Sequence, residues 1–303
     1  MMRPKCLVLL AAFNGTQWIE EQLSSILAQE GVDVTVLISV DKSVDGTELL
    51  VDQYCVQDDR VHCLPHDLRF GGAAKNFFRL IKDAPIEDFD YFALSDQDDI
   101  WLPRKLTDAV AKLTSFEAQA YSSDVIAFWP DGRKKLVKKS QKQVEYDYLF
   151  EAAGPGCTYV FTPYLFSLLK KHITDVYTQL DCISLHDWYI YAYTRSNGYK
   201  WIIDSRANMY YRQHSNNQVG VNTGLRAFRK RLSSVFDGWY LRQAACIANL
   251  IGIQNNSFVN SWIDLDRRGV LNLAFNGNDC RRRRRDKFVF AIICLVLTVK
   301  GNK

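Results

Sequence analysis

Apolar and polar positions follow two different periods along the first third of the chain. Short unbroken apolar runs, Cys6 to Ala11, Val34 to Ser39, Val61 to Leu64 and Tyr91 to Leu94, read as buried strands. Between them the spacing becomes helical. Thr16 to Gln29 puts Trp18, Ile19, Leu23, Ile26 and Leu27 on one face with Thr16 as N-cap, and Ala73 to Lys82 forms a further helix. Asp45 caps the helix after the second strand, with Glu48 as its capping-box partner, and Pro103 opens another at the position proline favours. Strands alternating with helices predict a parallel sheet covered on both faces, with ligands bound beyond its C-terminal strand ends.

After about residue 120 the rhythm changes. Val125 to Trp129, the turn Asp131-Gly132 and Lys135 to Val137 predict a hairpin. Leu185 to Arg195 reads as a helix, Trp201 to Ile203 and Asn208 to Tyr211 as short strands, and the chain from Leu225 onward as basic, aromatic and helical. The apolar run Cys6 to Phe13 is a buried strand and not a signal peptide. Phe288 to Val299 falls well short of the ~20 residues a spanning helix needs, so no membrane crossing is expected.

Composition narrows the picture only slightly. Hydrophobic residues at 48% and charged residues at 24% of 303 describe a globular protein, and a net charge of +4 is too mild to imply nucleic acid. The basic residues crowd the last third, in Arg226, Arg229, Lys230, Arg231 and the run Arg281 to Arg285. The 8 cysteines include no close pair of the CxxC kind, and Cys6, Cys246 and Cys294 lie in apolar runs. They are expected to be buried reduced thiols in a cytosolic protein, with no zinc site indicated.

Candidate chemistry concentrates at the predicted strand ends. Ser95-Asp96-Gln97-Asp98-Asp99-Ile100-Trp101 follows an apolar strand, and so many neighbouring carboxylates are costly unless a cation sits among them. The plainer alternative is a solvated acidic loop in which Asp99 caps the next helix. Asp41, at the end of the second strand, either accepts a hydrogen bond from the N3–H of a pyrimidine ring or satisfies its own turn. Lys75 lies behind Gly71-Gly72 where a turn feeds a helix, a weak anion-site pattern. Asp187, in His186-Asp187-Trp188, is either a helix N-terminal carboxylate or a base beside an acceptor hydroxyl. Tyr211 to Asn217 gathers a cation, an imidazole and amides, either as a polar loop or as a source of metal and phosphate contacts.

Together these segments resemble glycosyltransferase family 2, the inverting enzymes with the GT-A fold, in its rhamnosyltransferase-like branch of bacterial surface-polysaccharide enzymes. The resemblance rests on LLAAFNG (Leu9 to Gly15), EEQLSSILAQ (Glu20 to Gln29), SVDKSVDGT (Ser39 to Thr47), GGAAKNF (Gly71 to Phe77), ALSDQDDIWLPRKL (Ala93 to Leu106), GCTYVF (Gly156 to Phe161), HDW (His186 to Trp188) and YRQHSNN (Tyr211 to Asn217). These occur in the family's order, and SDQDDIW is highly specific. The resemblance implies an α/β, Rossmann-like GT-A domain over 1–220 and a basic helical extension over 221–303. It assigns Ala12, Phe13, Asp41, Lys75 and Asp96 to the nucleotide-sugar, Asp98 and His214 to a divalent metal (Mn²⁺ or Mg²⁺), and Asp187 to catalysis as base. Val40 and Lys42 depart from the family's usual Asp-Asp-Gly-Ser, which puts the shape of that loop in question.

The implied reaction moves a sugar, rhamnose from dTDP-rhamnose as the first expectation and a hexose from a UDP-sugar as the second, onto a hydroxyl of a glycan or lipid-linked acceptor in O-antigen or capsule synthesis. The basic, apolar tail from Arg281 suggests a cytoplasmic enzyme lying on the inner face of the membrane, against the alternative of a helix packed on the catalytic domain with solvated arginines. A nucleotidyltransferase would carry a glycine-rich loop with a basic residue after the first strand, and a dinucleotide oxidoreductase GxGxxG; Ala11 to Gly15 offers neither. A catalytically inactive nucleotide-sugar or membrane-binding module is the remaining rival.

Overall fold

A computed structural model describes residues 2–66, 68–214 and 238–300. The predicted β-α-β series is present as β1 (Lys5–Ala12), α1 (Ile19–Leu27), β2 (Asp33–Val40), α2 (Thr47–Gln57), β3 (Val61–Cys63), α3 (Ala73–Asp83) and β4 (Tyr91–Asp96). There follow β5 (Ile100–Trp101), α4 (Lys105–Ser115), β6 (Ala120–Ser123), the hairpin β7 (Val125–Phe128) and β8 (Lys134–Val137), β9 (Val160–Phe161), α5 (Pro163–Asp175), α6 (His186–Ser196), β10 (Trp201–Asp204) and β11 (Met209–Arg212). The large sheet has the order β10-β6-β9-β4-β1-β2-β3, with β9 antiparallel to both its neighbours and the other pairs parallel. A smaller sheet, β5-β11-β7-β8, takes up the predicted hairpin.

Strand alternation divides the core. Leu7, Leu9 and Ala11 face one apolar layer with α3, α5 and α6, while Cys6, Val8, Leu10 and Ala12 face the other with α1 and α4. Parallel register sets Ala11 beside Asp96 and Ala12 beside Val40, so the ends of β1, β2 and β4 meet at one edge. Val40 is part of that core, at 1% exposure.

Three helix starts differ from expectation. Thr16 does not cap α1, which begins at Ile19; its hydroxyl instead donates to Asp45 Oδ2 at 2.9 Å. Asp45 Oδ1 accepts from the Thr47 N–H and hydroxyl, Glu48 accepts from the Ser43 N–H, and Gly46 at φ 91° takes the cap position. The polar side chains thus serve contacts between loops. Pro103 lies in the turn that precedes α4.

The expected boundary between 1–220 and 221–303 falls outside the described residues, as do Arg226, Arg229, Lys230 and Arg231. From 238 the chain is helical: α7 (Trp239–Leu250), α8 (Ser257–Asn260), α9 (Arg267–Phe275), α10 (Gly277–Cys280) and α11 (Arg284–Lys300). Leu241, Trp262, Leu273, Phe290 and Cys294 of this segment share one core with Tyr148, Phe150 and Trp188.

Two sequence expectations are corrected here. Arg281 and Arg282 are neither solvated nor turned toward a surface. Arg282 is fully buried, pairing with Asp147 at 3.0 Å and Glu151 at 3.3 Å, and Arg281 pairs with Glu151 at 3.6 Å. Nor are all cysteines reduced, since Cys182 and Cys246 form a disulfide across 64 residues of sequence. Packing of α7 brings them together, with Gln243 of that helix hydrogen-bonded to the Cys182 carbonyl and the Ser184 amide. Spacing along the chain carries no sign of that pairing. The other six cysteines are free.

Candidate active site

Two loops after β1 and β4 are locked to each other. The Phe13 N–H donates to Gln97 Oε1 and the Gln97 amide donates to the Phe13 carbonyl, both at 2.7 Å. This approach requires glycine at position 15, because a Cβ there would lie 2.2 Å from Gln97 Oε1. The β1 loop is also laced to the β2 loop: Asn14 accepts from the Val44 N–H at 2.9 Å, and the Gly15 N–H donates to Thr47 Oγ1 at 2.8 Å. Phe13 presents its ring at 51% exposure, whereas Ala12 turns its methyl into the core.

Asp41 is buried, and its two carboxylate oxygens accept the Phe70 and Gly71 N–H groups, each at 2.8 Å. A carboxylate has about four acceptor positions, so this leaves capacity for a further donor. The loop that carries Phe70 is braced by Arg79 of α3, which donates to the Pro65 carbonyl at 2.6 Å and lies 5.0 Å from the Phe70 ring centroid. Asn76 ties the carbonyl of Ser39 to that of Ala12. Lys75 pairs with Asp181 at 2.7 Å, both side chains being exposed.

The acidic loop is poorly neutralised. Asp99 is fully buried, its Oδ1 taking the Arg212 N–H at 3.1 Å and its Oδ2 lacking a hydrogen-bond partner among the described residues. Asp96, Asp99 and Cys157 bring ligand atoms within 4.8 Å of one another. Burial, followed by the charges of Asp98 and Asp187, pushes Asp96 up to about 7, and burial with Asp98 and Asp96 raises Asp99 well above the carboxylate range. Asp98 meets His214 Nε2 at 2.6 Å, and the imidazole stacks on Trp18 with centroids 4.1 Å apart. Behind them Lys105 is buried 3.5 Å over the Trp101 ring, with no acceptor for its ammonium among the described residues; burial brings it down to about 7.

Asp187 occupies the first turn of α6, and its charge reaches Asp96. Its Oδ1 accepts the Trp188 N–H at 2.8 Å, and burial pushes the carboxyl up to about 6. His186 next to it is a packing residue, stacked on Phe77 at 4.0 Å and held neutral by burial, which lowers it to about 3. Gly156 lies against this turn, since a Cβ there would be 2.4 Å from His186 Nε2 and 3.3 Å from the Asp187 Cβ.

Phe13 through Gln97, His214 through Asp98 and Asp187 through its charge on Asp96 are thus all linked to the acidic loop. Ala12 ends β1, Asp41 follows β2, and Lys75 is paired with Asp181. Ser215 to Asn217 are outside the described residues. Gln97, Trp18, Cys157 and Lys105 complete the site without having been singled out individually. Their side-chain types announce no chemistry, and only the meeting of β1, β4 and the turn before β9 gives them a role.

Residues 7–173 match the model of Glycosyl transferase family 2. The chain belongs to that family. A dTDP-rhamnosyl transferase, RfbG of Shigella flexneri, is 43% identical over 291 residues, covering 96% of this chain and 100% of the relative. Among solved structures, S. aureus TarS 1–349 in complex with UDP superposes with a TM-score of 0.57 at 16% identity, over 98% of this chain and 90% of that one. The mannosyltransferase PcManGT from Pyrobaculum calidifontis, in complex with GDP-Man and Mn²⁺, gives 0.53 at 16% identity over 99% and 87%. Family 2 membership makes the chain a glycosyltransferase on a GT-A fold, as the sequence segments imply.

Proposed function

We propose that this glycosyltransferase moves rhamnose from dTDP-rhamnose, with inversion, onto a hydroxyl of a glycan or lipid-linked acceptor in bacterial surface-polysaccharide synthesis. The site assignment is supported by the grouping of Asp96, Asp98 and Asp99 within charge reach of one another, with Asp187 acting on Asp96, which we read as one cleft. The choice of donor rests on the relative from Shigella flexneri.

Phe13 stacks on the base and Asp41 takes its N3–H with the acceptor positions left by Phe70 and Gly71. Lys75 exchanges Asp181 for the diphosphate. An exposed pair of that kind is worth about 0–1 kcal/mol, so the exchange costs little. The oxygen-rich loop, with its orphaned Asp99 oxygen, suits a hard divalent ion, Mn²⁺ or Mg²⁺, held by Asp98 and His214. Such an ion supplies positive charge toward the departing diphosphate. Asp96 contacts the donor beside it. Asp187, with Oδ1 fixed by the Trp188 N–H, takes the acceptor proton. The acceptor oxygen then bonds to the anomeric carbon opposite the breaking carbon–oxygen bond, and the diphosphate leaves with that electron pair.

Calorimetric titration with dTDP and with UDP, each with and without Mn²⁺, tests this reading. Metal-dependent binding of dTDP, lost in Asp98→Ala, is expected. Preference for UDP moves the donor to a UDP-hexose, and binding of neither nucleotide leaves an inactive module.

No helix among the described residues is long and apolar enough to cross a membrane. For placement on the inner face of the cytoplasmic membrane, support comes from α11. Phe290, Cys294 and Leu297 are its buried face, while Phe288, Val289, Ile292, Leu295, Val296 and Val299 are exposed, next to exposed Arg284 and Arg285. Phe288→Glu with Ile292→Glu is expected to abolish co-sedimentation with anionic vesicles. Unchanged sedimentation removes α11 as the contact.

A further inference from the structure

Away from the cleft, at the free edge of the large sheet, four metal-ligating side chains converge. Asp52 and Cys55 stand three residues apart on α2, and Cys63 and His66 three apart at the end of β3 and in the loop beyond. His66 Nε2 lies 2.8 Å from Asp52 Oδ1, and Cys63 Sγ lies 3.7 Å from the same oxygen. The Asp52, Cys63 and His66 ligand atoms all fall within 4.8 Å of one another, and Cys55 on α2 is near enough to Cys63 for the two thiols to influence each other. The second ring nitrogen of His66, Nδ1, is buried and has no hydrogen-bond partner among the described residues.

We propose that Asp52, Cys55, Cys63 and His66 bind a transition metal ion of the zinc type. Two thiols, an imidazole and a carboxylate form the mixed sulfur, nitrogen and oxygen set that Zn²⁺ takes in four-coordinate sites. With Zn–S near 2.3 Å and Zn–O near 2.0 Å, a tetrahedral site has a sulfur–oxygen edge of about 3.5 Å, close to the 3.7 Å between Cys63 and Asp52. Binding exchanges the two thiol protons for one divalent ion and releases them to solvent. Cys55, Cys63 and His66 are half-buried and Asp52 is exposed, so an ion has access from solvent.

The position gives the ion a structural task. The segment from Cys63 through His66 leads to Phe70 and Gly71, whose amides hold Asp41. An ion bridging α2 to this segment anchors the start of the loop that sets Asp41. This site differs from the Asp98 and His214 site in supplying thiolates, so the two are separable by spectroscopy.

The test is titration of the full, reduced, metal-free chain with Co²⁺, following the thiolate-to-cobalt charge-transfer absorption. One equivalent with that absorption is expected in the wild type and in Cys157→Ser. Cys63→Ser and His66→Asn should each weaken it by more than the roughly 10–100-fold that loss of an outer-shell partner costs. Circular dichroism on each variant separates loss of a ligand from loss of the fold. Three results overturn the proposal: no thiolate absorption, absorption that Cys63→Ser leaves intact, or absorption lost only in Cys157→Ser. Recovery of Cys55 and Cys63 as a disulfide despite reduction also overturns it.

Discussion

Two groups of buried carboxylates sit on the same scaffold and are treated in opposite ways. Asp147 is enclosed by Arg282 at 3.0 Å, Arg195 at 3.2 Å and the Tyr191 hydroxyl at 2.9 Å. Burial still raises its carboxyl, but the two arginines pull it back. Asp96 has burial, Asp98 and Asp187 all acting against its charge, and only the Cys157 thiol in its favour. The first arrangement is complete within the chain. The second would be balanced by positive charge brought from outside, as the proposed divalent ion would bring with the donor.

The largest expected effect breaks the catalytic side of that contrast. Asp187→Asn should lose roughly 10²–10⁴-fold in kcat while keeping the dTDP affinity of the wild type. Unchanged turnover would take Asp187 out of the chemistry. On the structural side, Arg282→Met removes the buried partner shared by Asp147 and Glu151, leaving them Arg195 and Arg281, and should cost about 3–5 kcal/mol, on the order of 10 °C in Tm. A loss under about 1 kcal/mol would mean that this network is not the self-sufficient one.

The pH profile sharpens the comparison. Asp187 must be ionised to accept a proton and titrates at about 6, so kcat/KM should rise about tenfold per unit below that pH and level off above it. A flat profile from pH 5 to 8 would separate Asp187 ionisation from the rate. The smallest effect concerns stability without metal. Asp96 is raised in the folded state, so its contribution is present below about pH 4 and is lost as pH rises through about 7. Asp96→Asn should therefore stabilise the metal-free protein at pH 8 by about 1 kcal/mol, roughly 2 °C or more in Tm. Destabilisation in that thermal scan would show that Asp96 already has its counter-charge.

The sequence carried those parts of the molecule whose cause is local. The runs Cys6 to Ala11 and Val34 to Ser39 are strands to within a residue or two, because burial on both faces is written in their unbroken apolar composition. The acidic loop was readable because three carboxylates in four positions need an explanation wherever they occur. Partner choice was not readable. Thr16 looks like a cap by its neighbours, yet it serves a loop 29 residues away. Gln97 finds Phe13 across 84 residues, and Arg282 finds Asp147 across 135. Such pairings follow from which strands and helices become neighbours, and an arginine run looks the same in sequence whether it is buried or wet.

The reciprocal bond between Phe13 and Gln97 has a consequence for exchanging parts between relatives. The segments around residues 13–16, 41–48 and 95–99 hold each other by side chain to backbone, so none keeps its shape if only one is replaced. A chimera that transplants donor preference would have to carry all three as a single cassette. Gly15 would have to travel with Gln97, since a bulkier residue at 15 would push the glutamine out of the position in which it bonds Phe13.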